Sequence, residues 1–193
     1  MVTGVSGEIL NVKDPEFVRL PNHTLFRDAE GQFYVVLTAW TYIGVFRTKD
    51  ILNYEFVGYL DLHGKVAPYC IYHPQERIFY LFYTDWRNTV TAERSEYGRL
   101  GLAVGEDIRN ISSFKDKGYL DIRGNLLPDL SAGWDPYVFS VNGTYYMMLS
   151  AASHGVHIAS SQSLGKTWTY ISKIINERRE NPTLFYYDSK WYV

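Results

Sequence analysis

Apolar and polar positions along this chain fall into short blocks, and the blocks come in pairs. Four phrases open the pairs: Asn22-His23-Thr24-Leu25-Phe26, Ala67-Pro68-Tyr69-Cys70-Ile71, Asp135-Pro136-Tyr137-Val138-Phe139 and Asn181-Pro182-Thr183-Leu184-Phe185. Each runs into an aromatic segment: Gly31-Gln32-Phe33-Tyr34-Val35-Val36, Arg77-Ile78-Phe79-Tyr80-Leu81-Phe82, Gly143-Thr144-Tyr145-Tyr146-Met147-Met148 and Ser189-Lys190-Trp191-Tyr192-Val193. Short runs of aromatic and β-branched residues bounded by Gly, Asn and Asp predict paired strands.

A second kind of phrase follows three of these pairs. Ile43 to Asp50, Leu100 to Asp107 and Val156 to Ser163 each lead through a polar turn to an aromatic anchor, at Tyr54-Glu55-Phe56, Ser112-Ser113-Phe114 and Thr167-Trp168-Thr169. These supply a third and a fourth strand per unit. Convincing helix is nearly absent, with one turn expected at Asp107 to Ile111, because apolar spacing elsewhere has the strand period.

The opening phrases begin at intervals of 45, 68 and 46 residues. Repeats of about 40–45 residues built from four strands characterise propeller blades. The long interval contains two turn-rich stretches, Asp85 to Arg99 and Asp116 to Ala132, which read as loop insertions at blade ends. The expected fold is therefore all-β, one propeller domain over residues 1–193. The fourth unit stops after its second strand, and a closed ring needs its first and last blades to cover each other, so the propeller is expected to be incomplete, with three and a half blades present.

Composition narrows the function. The 193 residues include 46% apolar positions, five Trp, 17 Tyr and ten Phe, enough for one sizeable core. The 19 Lys and Arg against 21 Asp and Glu give a formal charge of −2 with no long run of either sign. That argues against a nucleic-acid surface or a polybasic membrane patch. Cys70, the single cysteine, sits inside an apolar strand phrase and reads as a buried, inert thiol. Met1 to Leu10 has neither the basic start nor the apolar centre of a signal peptide, and no apolar stretch approaches the ~18 residues of a membrane span, so no membrane partner is expected.

At these phrases the sequence resembles the five-bladed β-propeller glycoside hydrolases, the superfamily that holds families 43, 32, 62, 68 and 117. Val66-Ala67-Pro68, Trp134-Asp135-Pro136 and Glu180-Asn181-Pro182 look like the second, third and fourth inner-strand phrases of family 43. Gly133 to Ala151 and Glu180 to Val193 also look like segments of family 32. The resemblance implies a five-bladed propeller that cleaves O-glycosidic bonds in furanose- or xylose-containing saccharides, with Glu180 as general acid and Asp135 as the carboxylate that tunes it. Glycoside cleavage needs one carboxyl held protonated and another ionised, and clustering them on one axis separates their pKa values.

The first phrase departs from the pattern. Asn22, followed by His23, stands where the family has Asp followed by Pro, and an amide is not a general base. Asp14-Pro15 lies close by, but Asp14 precedes Gly31 by 17 residues, whereas Asp135 precedes Gly143 by 8, so Asp14 needs an atypical blade entry to reach the axis. Asn22 is then a sugar-binding amide or a turn cap. Trp134, Tyr69, Trp40 and Trp86 are the aromatics that could stack on sugar rings or belong to the core. His23 and His154 are candidate pocket histidines or satisfied structural ones. No spacing resembles a zinc site. Some related propellers hold an axial calcium, but no dedicated ligand loop is visible, so no cofactor is expected. A carbohydrate-binding propeller without turnover is the alternative that Asn22 and the missing last blades keep open.

Overall fold

The computed structural model describes residues 12–86, 98–124, 133–151, 155–177, 179, 181–188 and 190–193. These are strands joined by turns, with a single 3-10 turn at Ile111–Ser113 in place of the expected helical turn at Asp107 to Ile111. No helix among them is long and apolar enough to cross a membrane.

The first sheet is an antiparallel meander of β1 (Val12–Phe17), β2 (Phe33–Ala39), β3 (Tyr42–Thr48) and β4 (Glu55–Leu60). The second repeats it with β5 (Lys65–His73), β6 (Ile78–Asp85), β7 (Arg99–Gly105) and β8 (Lys115–Tyr119). The third is made of β10 (Trp134–Val141), β11 (Thr144–Ser150), β12 (Val156–Ser161) and β13 (Thr167–Ile175). It gains a fifth strand, β9 (Asp121–Arg123), which pairs in parallel with β13. Part of the stretch expected to be a loop, Asp116 to Ala132, is thus strand; of the other, residues 87–97 lie outside the described residues. A fourth unit contributes β14 (Phe185–Tyr187) and β15 (Lys190–Tyr192).

The sheets pack face to face as blades. Tyr34, Val36, Ile43 and Val45 of the first sheet meet Cys70, Phe79, Leu81 and Ala103 of the second in one buried cluster. Ile71, Phe82 and Leu102 meet Val138, Met147, Leu149 and Trp168 in the next. Both faces of β5 and β6 are therefore covered, and their sequences read as nearly continuous apolar runs. Burial pushes the Cys70 thiol pKa far up, as an inert core cysteine requires.

β5 packs against both β1 and β10, so β1, β5 and β10 are the inner strands around the axis. The registers Val12 to Ala39, Lys65 to Asp85 and Trp134 to Ser150 put the first residues of all three inner strands at one end of the molecule.

Blade one is where the structure departs from the counting of the sequence. Its inner strand is β1, which carries Asp14-Pro15, and not the phrase from Asn22 to Phe26. After Phe17 pairs with Val35, the chain makes an excursion before returning at Phe33. Arg19 N–H donates to the Cys70 carbonyl and Tyr72 N–H to the Arg19 carbonyl, which ties this excursion to β5. The β1–β2 connection is therefore long, whereas β10 and β11 are joined by a tight Asn142-Gly143 turn. Counting back from Gly31 with the short connection as ruler lands on the wrong residue.

Candidate active site

The site is built by one backbone irregularity used four times. Asp14, Ala67, Asp135 and Asn181 each precede a proline, and each has a positive φ, at 52°, 46°, 52° and 51°. A non-glycine residue in this region costs on the order of 1–3 kcal/mol and persists only where surrounding structure enforces it. For the first three the enforcement is a β-bulge: the pairing slips between Lys13 and Glu16, between Val66 and Tyr69 and between Trp134 and Tyr137. Proline cannot donate to the ladder and suits the irregularity, and a bulge re-aims the side chain that it displaces.

The three bulges and the Asn181-Pro182 step open onto one cavity of about 240 Å³, lined by Asp14-Pro15-Glu16, Ala67-Pro68-Tyr69, Asp135-Pro136-Tyr137 and Asn181-Pro182. Two aspartates from different blades thus face the same space. The Thr38 hydroxyl donates to Asp14 Oδ2 at 3.0 Å and itself accepts the Ala67 N–H at 2.8 Å. Asp135 Oδ2 accepts the Asn181 N–H at 3.0 Å, joining blade three to the fourth unit. Glu16 sits half-buried in the same wall; burial raises its carboxyl pKa above the ordinary range, against a smaller opposing pull from Arg19.

The sequence-derived candidates divide accordingly. Asp135 lies in the cavity wall. Glu180 and His154 lie outside the described residues. Asn22 is exposed in the blade-one excursion, where its Oδ1 accepts from the Thr24 hydroxyl at 2.7 Å and the Thr24 N–H at 3.3 Å. It caps a turn, and the axial position counted for it belongs to Asp14. His23, at φ 70°, packs behind the wall on the rings of Tyr137 and Phe139, and its Nδ1 is 3.2 Å from the Tyr137 hydroxyl. Burial, and secondarily Arg19, lowers its pKa.

Among the aromatics, Tyr69 lines the cavity, but its ring is buried against Tyr137 with centroids 4.8 Å apart. Its hydroxyl pKa is pushed far up, first by burial and then by Tyr137. Trp134, beside Asp135, is 5% exposed because Trp86 stacks on it at 5.3 Å. Trp86 is the exposed member of that pair. Trp40 is 66% exposed in the β2–β3 hairpin, at the same end of the molecule as the cavity but outside its wall. Among the described residues no group of three or more His, Cys, Asp or Glu is arranged to hold a metal ion.

Three residues of the site escaped the sequence: Asp14, Glu16 and Thr38. A signal for Asp14 was present, since Asp14-Pro15-Glu16-Phe17-Val18 matches Asp135-Pro136-Tyr137-Val138-Phe139 better than the Asn22 phrase does. Thr38 also had one. Thr38, Thr84 and Ser150 are fully buried hydroxyls that pair with Lys13, Val66 and Trp134, each the residue before a bulge.

Comparison with known proteins agrees with this geometry at the level of fold. No protein-family model matches the sequence, and no curated protein is similar to it. Among solved structures, the chain is similar to an inulosucrase from Halalkalicoccus jeotgali, with a TM-score of 0.67 and 16% identity over 91% of this chain and 57% of that one. It is similar to a family 117 glycoside hydrolase of Zobellia galactanivorans, with a TM-score of 0.66 and 13% identity over 91% and 60%. It is also similar to a GH32 β-fructofuranosidase of Bombyx mori, with a TM-score of 0.64 and 17% identity over 93% and 40%. The fold is that of the five-bladed β-propeller glycoside hydrolases, and the chain spans between 40% and 60% of the length of these three structures.

Proposed function

We propose that the chain carries the carboxylate site of a glycoside hydrolase acting on furanose- or xylose-containing oligosaccharides or polysaccharides. The observation that carries this reading is the meeting of Asp14 and Asp135 in one cavity, each on a bulged, left-handed residue before proline. Asp14 takes the part of general base or nucleophile. Its carboxylate is oriented by Thr38 and accessible from the cavity. Asp135 takes the part of the carboxylate that stabilises positive charge at the anomeric centre and raises the pKa of the acid. Glu180, next to Asn181, the fourth left-handed residue before proline, is the proposed acid.

Three things support the reading. The cavity lies below the roughly 300–1,000 Å³ of pockets for drug-sized ligands and suits one sugar ring. The structural neighbours are glycoside hydrolases and related sucrose- and fructan-active enzymes by name. Asp14 takes the base position for which Asn22 is unsuited, which answers the part of the case for a non-catalytic propeller that rests on Asn22. Of the two family likenesses, family 43 is the one proposed, because Val66-Ala67-Pro68 falls on the second bulge.

The test is hydrolysis of 4-nitrophenyl α-L-arabinofuranoside, 4-nitrophenyl β-D-xylopyranoside and sucrose by the chain. Turnover of at least one, abolished in Asp14→Asn and in Glu180→Gln, is the expected result. Binding of the same sugars with no turnover, unchanged by either substitution, would return the chain to the class of binding propellers.

A further inference from the structure

Each bulge is followed, one residue after its proline, by a side chain of the same cavity wall: Glu16 in blade one, Tyr69 in blade two and Tyr137 in blade three. These three share the cavity wall with the two aspartates. Tyr137 is committed within the protein by hydrogen bonds, and Tyr69 is a buried ring whose hydroxyl has no hydrogen-bond partner among the described residues. Tyr137 donates to the Leu184 carbonyl at 3.1 Å and lies 3.2 Å from His23 Nδ1, and the Tyr69 ring is buried against it. Glu16 differs. Asp14 is held by Thr38 and Asp135 by the Asn181 N–H, but the Glu16 carboxyl accepts no hydrogen bond from the described residues.

A half-buried carboxyl that faces the cavity without donors from the protein is stabilised by a ligand that supplies them. Sugar hydroxyls are donors of the right kind, and a carboxyl can engage two neighbouring ones at once. Resting on the glycoside hydrolase reading above, we propose that Glu16 is a specificity-determining residue of the cavity. It takes hydrogen bonds from hydroxyls on the buried edge of the sugar ring, so the cavity selects a glycosyl unit hydroxylated there over its deoxy analogue. A site built to hydrogen-bond a hydroxyl rejects the analogue without it, because the protein group is then left buried and unpaired.

The experiment compares the whole chain with Glu16→Gln and Glu16→Ala on whichever of the arabinofuranoside, the xylopyranoside and sucrose is turned over fastest, and on its monodeoxy analogues. Both variants are first checked for cooperative unfolding. The expected result is a KM raised about tenfold or more with kcat changed by less than about threefold. The wild type should prefer the parent sugar to one monodeoxy analogue by about a hundredfold in kcat/KM, and Glu16→Ala should shrink that preference to a few-fold. If KM and the deoxy preference are unchanged in both variants while Asp14→Asn abolishes turnover, the role of Glu16 is overturned and the hydrolase reading stands. If the folded wild type neither cleaves nor binds any of the three sugars, the hydrolase reading is overturned and the role of Glu16 falls with it.

Discussion

The Thr38 hydroxyl holds Asp14, donating to its Oδ2 at 3.0 Å while accepting the Ala67 N–H of the neighbouring blade at 2.8 Å. A fully buried hydroxyl on β2 thereby fixes a carboxylate on β1 by reference to the backbone of β5. Thr38→Val keeps the shape and removes both bonds, so it is expected to cost about 1–3 kcal/mol of stability through the orphaned Ala67 N–H. It should also lower kcat by about tenfold or more, as expected when a positioned base is loosened. Thr38→Ser should restore most of both. Urea unfolding together with the pH–rate profile separates the two effects, and a Val variant with wild-type kinetics would remove Thr38 from the site.

Asp14 and Asn22 make opposite predictions. Asp14→Asn should reduce turnover by several orders of magnitude while leaving the fold intact, since the amide keeps the hydrogen bond from Thr38. Asn22→Ala should change only the stability of an exposed turn, by about 0.5–1 kcal/mol. Initial rates on the same glycosides, with thermal unfolding as the control, decide it. Loss of turnover in Asn22→Ala with retention in Asp14→Asn would reinstate the count from Gly31.

Glu16 gives stability a pH dependence of known sign. Its folded pKa is raised above the ordinary 4.5, so the folded chain holds the proton more tightly than the unfolded chain does. The native state accordingly loses stability as pH rises from 4.5 to the raised value, and the penalty is complete above that value. Glu16→Gln should therefore melt at a higher temperature than wild type near pH 7, the two converging below the ordinary value. Melting curves across this range check it; a Gln variant less stable at pH 7 would contradict it.

His23 acts in the opposite direction. Its folded pKa lies below the ordinary 6.5, with burial the main cause, so the unfolded chain takes up the proton first. Stability should fall as pH drops through 6.5 toward the lowered value. His23→Gln should flatten that part of the stability curve, as measured by denaturant midpoints from neutral to mildly acidic pH.

At the end of blade two, Lys65 and Asp85 form an ion pair at 5% and 2% exposure, with the Tyr119 hydroxyl donating to Asp85 at 2.9 Å. The Lys65 ammonium also lies 4.9 Å from the Tyr83 ring centre. Removing Asp85 leaves the buried Lys65 ammonium with only the more exposed Asp116 carboxylate, at 3.9 Å, so Asp85→Ala should cost about 3 kcal/mol, while the double replacement Lys65→Met with Asp85→Leu should cost much less. A double-mutant cycle by urea unfolding measures the difference.

The blades were legible because their signals are local. An aromatic hairpin announces itself by strand period and turn residues, and a bulge that needs proline leaves a dipeptide behind, so Asp135 and Ala67 could be placed by inspection. Asp14 was missed although it has the same dipeptide, because the length of the β1–β2 excursion is set by its ties to Cys70 and Tyr72, a contact with another blade. β9 was missed for a similar reason. Three residues carry little pattern, and their partner on β13 lies more than forty residues away in the chain. Tyr69 and Trp134 show the limit of aromatic content as a guide, since the amount of ring does not reveal that Tyr137 and Trp86 cover them.

Ala67 carries no carboxyl, yet it holds the same left-handed backbone, the same proline and the same place in the cavity wall as Asp14 and Asp135. The contorted main chain is therefore a property of the scaffold, and the chemistry is a set of interchangeable fittings in sockets that exist whether or not they are charged. A single codon change at one socket could add or delete an acid on the axis without rebuilding a blade. Such a scaffold can exchange one side-chain chemistry for another, or lose it altogether, while its overall form is preserved.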